Sequence, residues 1–421
     1  FALLPRVFFH AHLACFDVAA AAMWTATALS LWLAIERRSL AWAIGTGVSY
    51  GLFLDTKHNA WLFPAVVVAL TALDLFDWRR AELRSRRPPV FWALLSVLVL
   101  GPLVLYAAWP WLWHDPLVRV AKWVRFHTRH EYYNMEFLGV TYYRPPMPRL
   151  YAWVMTVATV PGITLLLSLL GLWAGICQDL GARWPWLAAR LGAIGRGELG
   201  SVRGRTTVAV WLLSVAVAYA PWWSTSTPIF GGTKHWLTAY PFLCLFAGLG
   251  FEGVVSRLER ALAAAGARAP LVRALPAAVG LAVVAGPLAM TAGSHPWGLT
   301  AYTPLVGGAP GAATLGLNRT FWGYATGAVQ ASVNALTPPG GRVYVHDTAL
   351  QSFALLREDG RLRADLHGTL DIAGSEVALY HHEPHMRRVE HQIWVTYGTV
   401  APADVGAVQG VPVVWVYARP E

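Results

Sequence analysis

Lysine, cysteine and acidic residues are scarce in this chain of 421 residues. Charged residues make up only 13% of it, whereas a soluble domain carries about 25%, so the composition argues against a purely water-soluble protein. The three cysteines, Cys15, Cys177 and Cys244, lie far apart. They predict small buried thiols rather than a disulfide framework or a zinc site.

The sequence also lacks a P-loop, a GxSxG elbow and a Rossmann fingerprint, so nothing indicates ATP use or a serine hydrolase.

Apolar residues, by contrast, form 56% of the chain. They gather in blocks of roughly 17–25 residues, the length that crosses a hydrocarbon core of about 30 Å. The 22 tryptophans and 15 tyrosines suit aromatic belts at two water–lipid interfaces. We therefore predict a polytopic α-helical membrane protein with about eight spans, at residues 18–35, 39–54, 59–76, 90–109, 151–175, 207–222, 236–252 and 275–292.

Arginines cluster in the connections that follow the first, third, fifth and seventh predicted spans. These four connections share one side of the membrane if the spans alternate, and the positive-inside rule makes that side cytoplasmic. The net charge of +10 is thus explained by topology, without a nucleic-acid partner. The clustered arginines are Arg37, Arg38, Arg79, Arg80, Arg84, Arg86, Arg87, Arg183, Arg190, Arg196, Arg203, Arg205, Arg257, Arg260, Arg268 and Arg273.

The sequence changes character after the last predicted span. Residues 1–292 are interpreted as a transmembrane core, and residues 293–340 as a Gly-, Ala-, Thr- and Pro-rich junction. Residues 341–421 predict a small α/β domain on the outer side of the membrane. Its predicted helix covers 348–358, and its predicted strands cover 341–347, 376–382, 392–398 and 411–418.

The few lysines are informative because arginine dominates the basic residues so heavily. The chain has only Lys57, Lys122 and Lys234, all on the predicted outer side. Two of them stand in a repeated Thr-Lys-His tripeptide, at 56–58 and 233–235, each at the end of a predicted span. A compact ammonium there suits a phosphate, with His58 and His235 beside it. The alternative is a snorkelling lysine that holds a helix end at the interface.

A second group of polar residues precedes the first predicted span. If residues 6–17 are helical, Arg6, His10 and Asp17 share one face, with His12 nearby. A carboxylate at a membrane boundary needs water, a partner or a cation, so Asp17 predicts an ion-paired cluster. The alternative is an ordinary N-cap of the first span.

The outer loop 110–150 provides further candidate residues. Its aromatic and basic stretch predicts either a helix in the interface plane or a rim that faces a sugar or phosphate. The spacing of His127, His130 and Glu131 resembles metalloprotease motifs only superficially. A divalent metal held by His and Glu from separate loops stays open as an alternative. The candidate rim comprises His10, His12, His114, Asp115, His127, His130 and Glu131. The run from His381 to His385 predicts surface histidines, with metal binding as the alternative.

Three passages resemble the GT-C glycosyltransferases, in particular the protein O-mannosyltransferase and lipid A aminoarabinose transferase group. They are residues 5–17, 48–64 and 233–252. The resemblance implies an inner-membrane enzyme that transfers a sugar from a polyprenyl-phosphate carrier to an acceptor on the periplasmic face, with inversion. It implies phosphate contacts for Lys57 and Lys234, helped by Arg6, His58 and His235. Asp17 matches the family's second outer acidic position, a supporting role in catalysis.

In the family the catalytic base sits in an earlier outer loop. We therefore expect it, and about three further spans, in sequence upstream of Phe1. The implied partners are the sugar donor and membrane lipid, and the resemblance leaves the sugar and the acceptor open. Two other functions remain alternatives, a transporter or lipid flippase and a non-catalytic assembly protein. Transporters usually carry charges near the bilayer midplane and in repeated halves, whereas the polar residues here cluster at the outer ends of spans.

Overall fold

The computed structural model describes residues 1–13, 15–80, 89–183 and 205–420. Six of the arginines assigned to cytoplasmic connections lie outside these residues, namely Arg84, Arg86, Arg87, Arg190, Arg196 and Arg203. The chain forms two compact units. The first comprises residues 1–131, 160–228 and 232–289, and the second comprises residues 132–159, 229–231 and 290–421. The division into domains at 292 and 340 stays a prediction.

Helices occupy every one of the predicted spans. In chain order they are α1 (Pro5–Ala11), α2 (Asp17–Glu36), α3 (Leu40–Thr56), α4 (Phe63–Arg80), α5 (Pro89–Ala108), α6 (Pro116–Thr128), α7 (Tyr151–Thr159), α8 (Gly162–Arg183), α9 (Arg205–Tyr219), α10 (Tyr240–Ala264) and α11 (Ala269–Ser294). Among the described residues, 5 helical segments are long and apolar enough to cross a membrane, or up to 6 if the broken pair α7–α8 is one span. A mostly helical chain with several apolar spans is thus confirmed, while the count of eight remains a prediction.

Glycines let two of the apolar helices of the first unit approach closely. A Cβ on Gly171 of α8 would lie 1.8 Å from the carbonyl oxygen of Phe246 in α10. A Cβ on Gly250 of α10 would lie 2.1 Å from the carbonyl oxygen of Leu167 in α8. No side chain larger than hydrogen fits at either position, so this pair packs backbone against backbone, as small residues allow in membrane helices.

An aromatic cluster fixes α2, α3 and α4 relative to one another. The ring of Trp24, which is fully buried, meets Phe53 edge-on at 5.8 Å and Phe63 edge-on at 5.6 Å. Offset and edge-to-face aromatic pairs add stability beyond the area they bury. Because Trp24 lies two turns after Asp17 and Phe53 one turn before Lys57, this cluster positions the two residues at the helix ends.

The second unit contains a small sheet, as predicted. A hairpin pairs β1 (Met135–Phe137) with β2 (Val140–Tyr142). A 5-stranded mixed sheet has the order β4-β3-β5-β7-β6. Its strands are β3 (Arg342–Tyr344), β4 (His367–Thr369), β5 (Val377–His381), β6 (Asp404–Val408) and β7 (Val411–Ala418), and its helices are α12 (Gly308–Thr314), α13 (Gln330–Leu336), α14 (Asp347–Glu358) and α15 (Arg387–Tyr397).

The strand predicted at 392–398 is wrong, because these residues belong to helix α15. The β-branched and aromatic residues there suggested a strand, yet the buried side chains are Ile393 and Tyr397, one helical turn apart. They pack with Tyr380 and Tyr417 of the sheet. Gly398 then ends the helix with a φ of +69°, a conformation glycine adopts without steric cost. Tertiary packing therefore overrode the local β propensity.

Candidate functional site

An ion pair joins the ends of two apolar helices in the first unit. Asp17 is the first residue of α2, where the positive end of the helix dipole favours a carboxylate. Lys57 follows the last residue of α3 in extended conformation. Its Nζ donates to Asp17 Oδ1 at 2.5 Å, and the two side chains are only 6% and 7% exposed. The residues are 40 positions apart in sequence, so the fold rather than local spacing creates the pair.

The imidazole ring of His10, in α1, lies beside this ion pair. Its Nδ1 lies 3.5 Å from Asp17 Oδ2, and its side chain is 1% exposed. Burial lowers the pKa of His10 to about 4; Asp17 opposes this shift, whereas Arg6, Lys234 and Lys57 reinforce it. The imidazole is therefore neutral near pH 7, and it can donate its Nδ1 hydrogen to the carboxylate.

Two more cations lie within electrostatic reach of the ion pair or of His10. Lys234 stands in a 3₁₀ turn, Gly232–His235, just before α10. Burial lowers the pKa of Lys234 to about 8, with Asp17 opposing the shift and Lys57 reinforcing it. Arg6 of α1 is 2% exposed and acts on His10. We call Arg6, His10, Asp17, Lys57 and Lys234 the charged cluster.

The two Thr-Lys-His tripeptides are held together by neighbouring groups. Asn59 Nδ2 donates to the backbone oxygen of His235 at 3.0 Å. The ring of His235, which is buried, packs against Trp222 with centroids 4.7 Å apart. His235 therefore contacts an aromatic side chain, whereas His58 contacts a different ring, described below.

His58 stacks on a ring from the loop at residues 110–150. Its ring lies nearly parallel to that of His127 in α6, with centroids 4.1 Å apart and an angle of 20°. Burial lowers the pKa of His127, with His130 as a second cause. The other candidate rim residues do not join the charged cluster. His12, His114, Asp115 and Glu131 are exposed to solvent, and His130 Nδ1 lies 2.8 Å from the backbone oxygen of Glu131.

Cys15 is the residue of the site that sequence reasoning missed. It lies half-buried in the turn between α1 and α2, with Sγ 3.9 Å from His10 Nδ1. Burial raises the pKa of its thiol. One donor atom each from His10, Cys15 and Asp17 lie within 4.8 Å of one another, a group that could hold a metal ion. The signal in the sequence was three ligand-type residues within eight positions.

The prediction of surface histidines at 381–385 is wrong for His381. That residue is completely buried, because all five residues of β5 are covered. Its Nε2 lies 2.9 Å from Thr326 Oγ1, and burial lowers its pKa far below 6.5. His382 and His385 are half-buried; the Nδ1 atom of His385 lies 3.6 Å from Glu383 Oε2.

Comparison with known proteins gives one similar structure. No protein-family model and no curated protein matches the sequence. The crystal structure of ArnT from Cupriavidus metallidurans bound to undecaprenyl phosphate is similar at a TM-score of 0.38 and 15% identity, over 98% of this chain and 76% of that chain.

Proposed function

We propose that this chain is a GT-C-type membrane glycosyltransferase that takes its sugar from a polyprenyl-phosphate carrier at the periplasmic face of the bacterial inner membrane. One observation carries the proposal. At the ends of apolar helices, Asp17 pairs with Lys57 and lies within electrostatic reach of Lys234, and Arg6 acts on the neighbouring His10. Such a group suits an anionic headgroup whose hydrocarbon tail lies in lipid.

Charge explains why a phosphate fits. Lys57, Lys234 and Arg6 carry three positive charges, and Asp17 carries one negative charge. Holding like charges close together in a poorly hydrated place is unfavourable unless an opposite charge compensates them. The phosphate of a carrier lipid adds a negative charge beside these cations, and it gains further negative charge as the sugar–oxygen bond breaks. Cations already fixed in place stabilise that developing charge without reorganisation.

Asp17 has a positioning role in this proposal. Its Oδ1 holds the ammonium of Lys57, and its Oδ2 faces His10. A lysine at a helix end is otherwise a flexible side chain with four rotatable bonds, which a tight ion pair restricts. We therefore assign Lys57, Lys234 and Arg6 to phosphate binding, with His58 and His235 beside them, and assign Asp17 to orienting Lys57.

The test begins with binding. The chain in detergent micelles is titrated with undecaprenyl phosphate, and bound lipid is counted by native mass spectrometry. Replacing Lys57 or Lys234 by methionine removes a charge-assisted contact of about 1.5–3 kcal/mol, so each variant should bind about 10- to 150-fold more weakly. Lys122→Met is the matched control, because Lys122 is exposed on α6. Equal affinities for all three variants and the wild type would remove the site assignment.

A second measurement separates an enzyme from a transporter or flippase. Proteoliposomes receive a polyprenyl-phosphate sugar labelled in the sugar, and the products are separated by extraction. An enzyme releases free polyprenyl phosphate and moves label onto an acceptor, and Asp17→Asn should lower that rate. Label that crosses the membrane while still attached to lipid would instead establish the transporter alternative.

A further inference from the structure

We propose that His10, Cys15 and Asp17 form a binding site for a zinc-like divalent metal ion beside the charged cluster. This inference concerns metal binding by the chain itself, and it holds whatever the protein transfers. Only the role of the ion toward a phosphate rests on the proposed function.

The spacing of the donor atoms is close to what a tetrahedral ion needs. Bond lengths of about 2.3 Å to sulfur and about 2.0–2.1 Å to nitrogen or oxygen set the S–N and N–O edges of a tetrahedron near 3.5 Å and 3.3 Å. The distances here are 3.9 Å from Cys15 Sγ to His10 Nδ1 and 3.5 Å from His10 Nδ1 to Asp17 Oδ2. These two edges therefore need to close by only a few tenths of an ångström, and the third edge, from Cys15 to Asp17, starts at no more than 4.8 Å.

The two oxygens of Asp17 have separate neighbours. Oδ1 accepts from Lys57, whereas Oδ2 faces His10. The carboxylate can therefore keep its ion pair with Lys57 and still offer an oxygen to a metal. Bridging by one carboxylate also fixes the position of the ion relative to the ammonium.

Charge balance sets a condition for an ion so close to lysines. On binding, the Cys15 thiol releases its proton to solvent and becomes a thiolate, as metal ligands must. The ion brings two positive charges and the released proton removes one, so the site gains one net positive charge. An anionic ligand in the fourth coordination position offsets that charge beside Lys57 and Lys234.

The donor set selects the kind of metal. One thiolate, one imidazole and one carboxylate favour zinc or cobalt over magnesium and calcium, which prefer oxygen ligands alone. Three protein donors leave the fourth position of a tetrahedral ion to water or to an oxygen of an anionic ligand. In the proposed function, that ligand is the phosphate of the carrier.

Cobalt is the most direct probe, because thiolate bound to Co²⁺ gives a near-ultraviolet charge-transfer band. The chain, purified with chelator and without lipid, is titrated with Co²⁺ and then with Zn²⁺, which should displace it. We expect one ion per chain and a charge-transfer band. Cys15→Ala should abolish the band and weaken binding by at least about 10- to 100-fold, since even outer-shell partners contribute that much.

The two other cysteines provide matched controls. Cys177 lies in α8 and Cys244 in α10, both outside the charged cluster. Cys177→Ala and Cys244→Ala should retain the band and the affinity. Absence of the band in the wild type, its persistence in Cys15→Ala, or its loss in either control would overturn the metal site. Because no lipid or sugar is present, these outcomes leave the proposed transfer reaction to its own test.

Discussion

Neutralising one member of the Asp17–Lys57 pair should destabilise the first unit strongly. At 2.5 Å, two opposite unit charges attract by about 7 kcal/mol at an effective dielectric constant near 20. Desolvation of two ions that are more than nine-tenths buried offsets most of that gain. Removing one partner strands the other charge, which typically costs about 3–5 kcal/mol. We expect this loss for Asp17→Asn and for Lys57→Met.

The double variant gives the sharper result. With both charges gone, a neutral amide and a thioether replace the pair, and no buried charge is left without its partner. The double variant should therefore lose less than the sum of the single variants, by about 2–3 kcal/mol. Unfolding in mixed detergent micelles, followed through tryptophan fluorescence, measures all three. Lys122→Met should change stability by less than about 0.5 kcal/mol, because that side chain is exposed.

Strict additivity of the two substitutions would refute this reasoning. It would mean that Asp17 and Lys57 contribute through separate contacts and not through each other. The same result would weaken the positioning role of Asp17, since Lys57 would then be held by something else.

Three further predictions concern the rest of the molecule. Gly171→Ala should lower the yield of folded protein, since its Cβ would lie 1.8 Å from a carbonyl oxygen, whereas Gly248→Ala, with nothing within 4 Å, should express normally. Burial holds the pKa of His381 in the folded unit well below 6.5. Below about pH 6.5 this histidine is therefore protonated in the unfolded chain but not in the folded unit. The free energy of unfolding should consequently fall as the pH drops below about 6.5. Urea unfolding of His381→Asn should show a shallower pH dependence than that of the wild type. His127→Ala removes a stacked ring and should speed amide hydrogen exchange in α6, whereas Lys122→Ala should not.

The helices could be predicted from the sequence because each apolar block has the length that a membrane demands. The break between α7 and α8 was missed. Pro161 sits inside the predicted span 151–175, and a proline disfavours helical conformation in the residue before it. The helix accordingly ends at Thr159, and the next one begins at Gly162. Hydropathy averaged over a window cannot register such a local steric effect.

The site was predictable where a pattern repeated and unpredictable where the chain folds back. Two identical tripeptides at span ends indicated Lys57 and Lys234 from the sequence alone. Cys15 belongs to no repeated pattern, because its contact with His10 arises from the turn between α1 and α2. The prediction that His381 lies at the surface was wrong for a related reason. Alternation in a strand predicts one exposed face, but β5 is covered on both faces.

The strongest clue to function is a lysine whose pKa is strongly perturbed. Burial lowers the pKa of Lys234 to about 8, with Asp17 opposing the shift and Lys57 reinforcing it. Snorkelling predicts the opposite, an ammonium extended into water with its usual pKa. Lys122, on α6 of the same chain, is exposed to solvent. Perturbed groups gathered at one end of apolar helices are typical of functional sites. An anion that binds between Lys57 and Lys234 relieves the repulsion between their two ammonium groups.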